Sequence, residues 1–264
     1  MGYKGEDVIT SILNIFGPGV TFVKPELFYF IIAIFAVIIA TYIYYSLPGH
    51  VAEVRKLPFV DFISEQAQSA SERGRPLMIA STREATGGVA VLNAFMTITK
   101  YSANRAAEMQ VPLHGMSNNL RTYLMMADYA RQGAIEGGHP EIFKDQNFYY
   151  VDPSGFVVEG VKLVQREKPG ASLFLGAGAV SYSTMIEMAA RQGSLNFGSS
   201  DDGWSTCFLA ATCDYNTFSD EMVAGATYIT KDAKQAATLV GMDLIKLFTL
   251  GAVIVLLVKG LLRW

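Results

Sequence analysis

Residues 74–117 read GRPLMIASTREATGGVAVLNAFMTITKYSANRAAEMQVPLHGMS, and this stretch decides the fold. Pro76-Leu77-Met78-Ile79-Ala80-Ser81 is a short, continuous apolar run, the pattern of a strand buried on both faces. Val89 to Met109 then carries helical spacing at Val91, Phe95, Ile98 and Ala106. Val111-Pro112-Leu113-His114 reads as a second strand. The alternation continues outward, with a helix from Asn119 to Gly133 and a strand at 148–151 that ends in the turn sequence Asp152-Pro153-Ser154-Gly155. A helix at 156–167, a strand at 171–175 and a helix at 182–192 follow. Thr206 to Cys213 reads as a fifth strand, with Leu195-Asn196-Phe197 as a further short candidate. Strands alternating with helices predict a three-layer, Rossmann-like α/β domain with a mainly parallel sheet.

The flanks of this domain are different. Between Glu26 and His50 no residue is charged, and aromatics cluster at Phe28, Tyr29 and Phe30 and again at Tyr42, Tyr44 and Tyr45. Roughly 20 helical residues cross a bilayer core, so the length predicts a transmembrane helix. Leu244 to Trp264 has a shorter charge-free stretch, Leu247 to Val258. Lys246 and Lys259 extend it by snorkelling, and Arg263 and Trp264 anchor its far end. A surface helix is the competing reading of that segment.

The resulting division is an amphipathic segment at 1–26, a transmembrane helix at 27–47 and a connecting helix at 48–74. The α/β domain at 75–230, a connecting helix at 231–243 and a second transmembrane helix at 244–264 complete it. Tyr44, Tyr45, Lys246, Lys259 and Trp264 are the expected membrane anchors. Lys and Arg near the two spans are almost balanced between the two sides. Unpaired thiols at Cys207 and Cys213 point to a cytoplasmic α/β domain.

Composition narrows the function. The chain has 264 residues, is 51% hydrophobic and 17% charged, and has a net charge of -3. An apolar excess of this size excludes disorder, and no basic run supports nucleic-acid binding. Two cysteines supply neither a disulfide framework nor a cysteine-rich zinc site. Residues 47–242 carry 16 Lys/Arg and 20 Asp/Glu, below the quarter or so usual in soluble domains, so part of that domain's surface is expected to be covered.

Three elements are similar to an uncharacterised prokaryotic family of membrane-anchored α/β proteins. They are Gly74-Arg75-Pro76 before a strand, Arg166-Glu167-Lys168-Pro169, and Ala210-Ala211-Thr212-Cys213-Asp214-Tyr215. The family pattern has an "REKP" and an "AACDY" element, and the second is one residue off here. The resemblance spans about residues 52–262 and implies architecture, with no catalytic residues.

Ligands of open parallel sheets bind beyond the carboxyl ends of the strands. That rule selects Arg83, Glu84, His114, Asp152 and Asp214 as ligand-binding candidates. Ser81-Thr82-Arg83 before Gly87-Gly88 is a candidate anion cradle, with helix capping as its plain alternative. Neither GxGxxG nor GxxxxGK[ST] is present, so no nucleotide cofactor is expected. No metal-ligand spacing occurs among the three histidines and two cysteines. A Cys213–His114 nucleophile pair competes with a buried, inert Cys213.

The leading expectation is a non-enzymatic, membrane-anchored scaffold that forms a homo-oligomer, with the lipid bilayer and other membrane proteins as partners. The alternatives are a membrane-tethered ligand-binding or enzymatic domain, and an accessory subunit of a larger membrane complex.

Overall fold

The computed structural model describes residues 25–47, 54–82, 88–176 and 182–261. Six strands form one sheet: β1 (Leu77–Ser81), β2 (Leu113–Ser117), β3 (Phe148–Tyr150), β4 (Ala171–Leu175), β5 (Leu195–Ser200) and β6 (Tyr215–Phe218). Their spatial order is β3-β2-β1-β4-β5-β6, and every neighbouring pair is parallel. This is the doubly wound order, with a topological switch between β1 and β4.

Side-chain alternation along each strand divides the core in two. Leu77 and Ile79 face one side with Leu113, Leu173 and Phe197. That side is covered by α2 (Pro58–Glu72), α3 (Gly88–Glu108), α4 (Leu120–Glu136) and α8 (Ser219–Thr230). Met78 and Ala80 face the other side with Met116 and Phe174. There they meet α5 (Phe156–Glu167), α6 (Ser183–Arg191) and α7 (Gly203–Thr212). The expected three-layer α/β architecture is therefore present. Since the strands are parallel, α3 to α8 all begin at the carboxyl edge of the sheet.

Segment 206–213 is helical rather than a strand. Asp202 caps α7 by accepting from the Trp204 N–H at 3.3 Å and the Ser205 hydroxyl at 2.8 Å, which starts a helix where the apolar run alone suggested β structure. The fifth strand is instead the polar LNFGSS, buried along most of its length. Its hydroxyls are satisfied locally: Thr217 donates to Ser199 Oγ at 2.8 Å, and Ser199 to the Thr217 carbonyl at 3.3 Å. The sixth strand follows α7 directly. Neither Cys207 nor Cys213 is disulfide-bonded.

Gln66 of α2 shows how the helices are keyed to the sheet. It is fully buried, and its amide nitrogen donates to the Ser172 carbonyl at 3.1 Å and the Leu195 carbonyl at 2.8 Å. One side chain thus ties β4 to β5 at their amino ends. Gln66→Leu is expected to cost about 2 kcal/mol, because both carbonyls lose a buried donor. Urea unfolding measures the loss, and an unchanged midpoint would refute the role.

The apolar flanks form α1 (Pro25–Ser46) and α9 (Ala233–Leu261). These helices pack along each other, with Gly241 of α9 facing Ile38 of α1. Lys246 of α9 binds Asp220, in the first turn of α8, at 2.7 Å. The helix pair therefore leaves the domain at the carboxyl edge of the sheet. Two expectations are corrected here. Among the described residues no helix is long and apolar enough to cross a membrane, so the two flanking transmembrane spans are withdrawn. The charge-free part of α9, Leu247 to Val258, covers about 18 Å, against a hydrocarbon core of about 30 Å. The two-span localisation falls with them, and with it the question of which side of a membrane the α/β domain would face.

Of the expected anchors, Tyr44 and Tyr45 sit edge to face with centroids 5.2 Å apart, and Lys246 is committed to Asp220 and Asp243. The Lys259 side chain, Trp264 and residues 1–24 lie outside the described residues.

Candidate functional site

The β1–β4 switch point is where a doubly wound sheet opens a crevice for ligands. Here Tyr182 occupies it. This residue is fully buried, and its ring meets Phe174 and Phe156 edge to face, at 5.4 and 6.1 Å. Its hydroxyl donates to the Leu175 carbonyl at the end of β4 and accepts the Thr82 N–H beyond β1, both at 2.5 Å. Burial pushes the phenol above its ordinary range, so it stays neutral and acts as a clasp rather than as an acid. Hydroxyls elsewhere on this edge are also turned inward. Ser81 donates to the Thr82 carbonyl and Ser117 to the Asn119 carbonyl, while Ser200 accepts from the Asp202 N–H. Among the described residues, these three hydroxyls thus have backbone partners, while Asn118 Oδ1, just beyond β2, is buried without one.

Among the described residues, those selected from the sequence do not meet in one place. Arg83 and Glu84 lie outside the described residues. Asp152 is exposed and holds the turn before α5, accepting from the Ser154 N–H at 3.0 Å and hydroxyl at 2.6 Å. Those two hydrogen bonds keep its carboxyl below the ordinary range. His114 is the second residue of β2, not its carboxyl end. Asp214 precedes β6 at the opposite, amino edge, where it accepts the Asn196 N–H at 2.7 Å and donates its own N–H to the Asn196 carbonyl at 3.0 Å. Only a strand over 206–213 would put it at a carboxyl end, and that segment is helical. Four strand spacings, about 19 Å, separate the lines of β2 and β6, so His114 has no reach to Cys213 or Asp214. Burial pushes the Cys213 thiol up to about 12, which leaves no thiolate near neutrality.

A shallow cleft of about 180 Å³ lies between β3 and α5, with Met116 and Leu163 at its floor and Tyr149, Tyr150, Lys162 and Arg166 around it. Both cations are paired there, Lys162 with Glu159 at 2.8 Å and Arg166 with Glu167 at 2.6 Å. Among the described residues no group of three or more His, Cys, Asp and Glu is placed to hold a metal ion.

The Arg166–Pro169 element does bring one titratable group into play. Glu167 approaches His114 Nε2 at 3.7 Å, while His114 Nδ1 is buried with no hydrogen-bond partner among the described residues. Lys168 takes a left-handed conformation (φ 48°) that ends α5 and turns the chain into β4. A model of a family described as a domain of unknown function, DUF6754, matches residues 20–263. The chain belongs to this family. Comparison with curated proteins and with solved structures finds no match.

In this DUF6754 chain, desolvation lowers the His114 pKa below 6.5, with Arg166 and Lys144 adding to the effect and Glu167 partly opposing it. The unfolded chain therefore binds more protons than the folded one once the pH falls below 6.5. The His114 contribution is complete above that value and is lost as the pH falls toward the depressed folded value. Wild-type urea midpoints should drop between about pH 7 and about pH 5, a window set by the ordinary histidine pKa. His114→Gln should flatten that slope. Equal slopes in the two proteins would show that His114 is not the group responsible.

Proposed function

We propose that this protein is a non-catalytic structural scaffold, assembled with further copies of itself through the α1–α9 helix pair. One observation carries the reading. The paired helices present large apolar side chains outward, among them Phe35 (61% exposed), Leu247 (64%), Leu250 (58%) and Leu257 (61%). Soluble monomers rarely expose contiguous apolar patches beyond a few hundred Å², so helices with this many exposed large side chains call for a partner. The alternation of protruding Leu, Ile and Phe along both helices suits packing against equivalent helices, ridges into grooves.

Native mass spectrometry and light scattering in mild detergent test this. The wild type should be multimeric, whereas Phe35→Glu/Leu250→Glu should be monomeric with an unchanged circular dichroism spectrum. A wild type that is only monomeric overturns the reading. If that monomer partitions into phosphatidylcholine vesicles, the exposed faces belong to lipid instead.

A further inference from the structure

Helix α7, with the sequence GWSTCFLAAT, contains no charged residue. Its inner side packs Leu209 into the core, yet Trp204 stands 89% exposed, and Cys207, Ala210 and Ala211 are exposed beside it. Trp204, Cys207 and Ala211 fall at i, i+3 and i+7, so they form one outward stripe. A helix that is apolar on both sides is ordinarily covered on both. Interface cores are depleted in charge, and tryptophan is prominent among the residues that anchor them. The carboxylates that flank the helix are spent within the chain, Asp202 on the Trp204 and Ser205 donors and Asp214 on the Asn196 N–H.

We infer that α7 packs against α7 of a second copy inside the assembly formed by the α1–α9 pairs, and this rests on that reading. Area decides the occupant. Taking tryptophan as about 250 Å², the stripe offers about 400 Å² of uncharged surface. A stable complex buries about 800 Å² per partner, so α7 alone is too small to capture a freely diffusing protein. A copy already held by its helix pair is present at an effective concentration on the order of millimolar, and at that concentration a contact of half size is populated. Cys207, Ala210 and Ala211 are small enough to let two helix axes approach to about 8 Å. Under two-fold symmetry, Cys207 near the middle of the helix then lies close to its counterpart.

The test uses the full chain in mild detergent with a short bismaleimide. Wild type and Cys213→Ser should give a covalent dimer, and Cys207→Ser should not. Trp204→Asp should keep the multimer in native mass spectrometry yet lose most of the cross-link. A multimer in which Cys207 neither cross-links nor becomes slower to react with a monofunctional maleimide than in Phe35→Glu/Leu250→Glu overturns this inference alone. A chain that never assembles overturns both.

Discussion

Gly133→Ala should destabilise the domain by about 3 kcal/mol, even though alanine is favoured over glycine inside a helix by about 1 kcal/mol. The reason is the seam between α3 and α4. A Cβ at position 133 would lie 2.3 Å from the Lys100 carbonyl oxygen and 2.8 Å from the Ala103 Cβ. One turn later, a Cβ on Gly137 would lie 2.5 Å from the Ala107 Cβ and 2.7 Å from the Asn104 carbonyl oxygen. Two of these four obstacles are backbone oxygens inside a helix, which cannot rotate aside as a side-chain tip can. The helices would have to separate, and they carry Phe95, Ile98, Met126 and Ala130 of one core cluster with them. Gly203→Ala is the control, because nothing lies within 4 Å of its Cβ position, and it should change stability by less than about 0.5 kcal/mol. Urea denaturation of the three proteins checks the ranking. A Gly133→Ala protein as stable as Gly203→Ala would show that the seam opens without cost.

Tyr182→Ala should be comparably severe, at about 3–5 kcal/mol, as for other large aromatic side chains removed from a core. The ring is fully buried against Phe156 and Phe174, and its loss leaves a cavity under the switch point. Tyr182→Phe separates the clasp from the packing. The phenyl ring fills the same space, and the Thr82 N–H keeps its 3.2 Å bond to the Leu175 carbonyl. The expected cost is therefore about 1–2 kcal/mol. The two variants should also differ in local dynamics. Hydrogen exchange at Thr82 should accelerate in Tyr182→Phe while the central amides of β1 and β4 stay protected. Uniform acceleration across the sheet would mean that the hydroxyl acts on global stability rather than as a local clasp.

The candidate site was only partly legible in the sequence, for reasons visible in particular residues. Asp152 stands where its turn sequence puts it. Asp214 sits at the amino edge, against expectation, because the apolar run from Thr206 to Cys213 has no strong period and the Asp202 cap that makes it a helix lies four residues upstream. Strand β5 was under-read for the opposite reason. Asn196 and Ser199 look like surface residues, and they become core residues because Asp214 and Thr217 arrive from a later loop and strand to bond them. Tyr182 gave no signal at all, since nothing near it in sequence tells that its hydroxyl will meet Thr82, 100 residues away.

By itself the sequence determined what local physics controls: the alternation of buried strands with amphipathic helices, and the concentration of apolar residues in two flanking helices. It also carried the shortage of charge on the domain between them. Tertiary structure alone decided the order in which the strands pair and which strand ends become neighbours. It decided as well that the flanking helices leave from the carboxyl edge, and that Tyr182 fills the switch point. Burial and periodicity act over a few residues and are written in the chain. Pairing and clasping act between segments that only the packed sheet brings within hydrogen-bond distance.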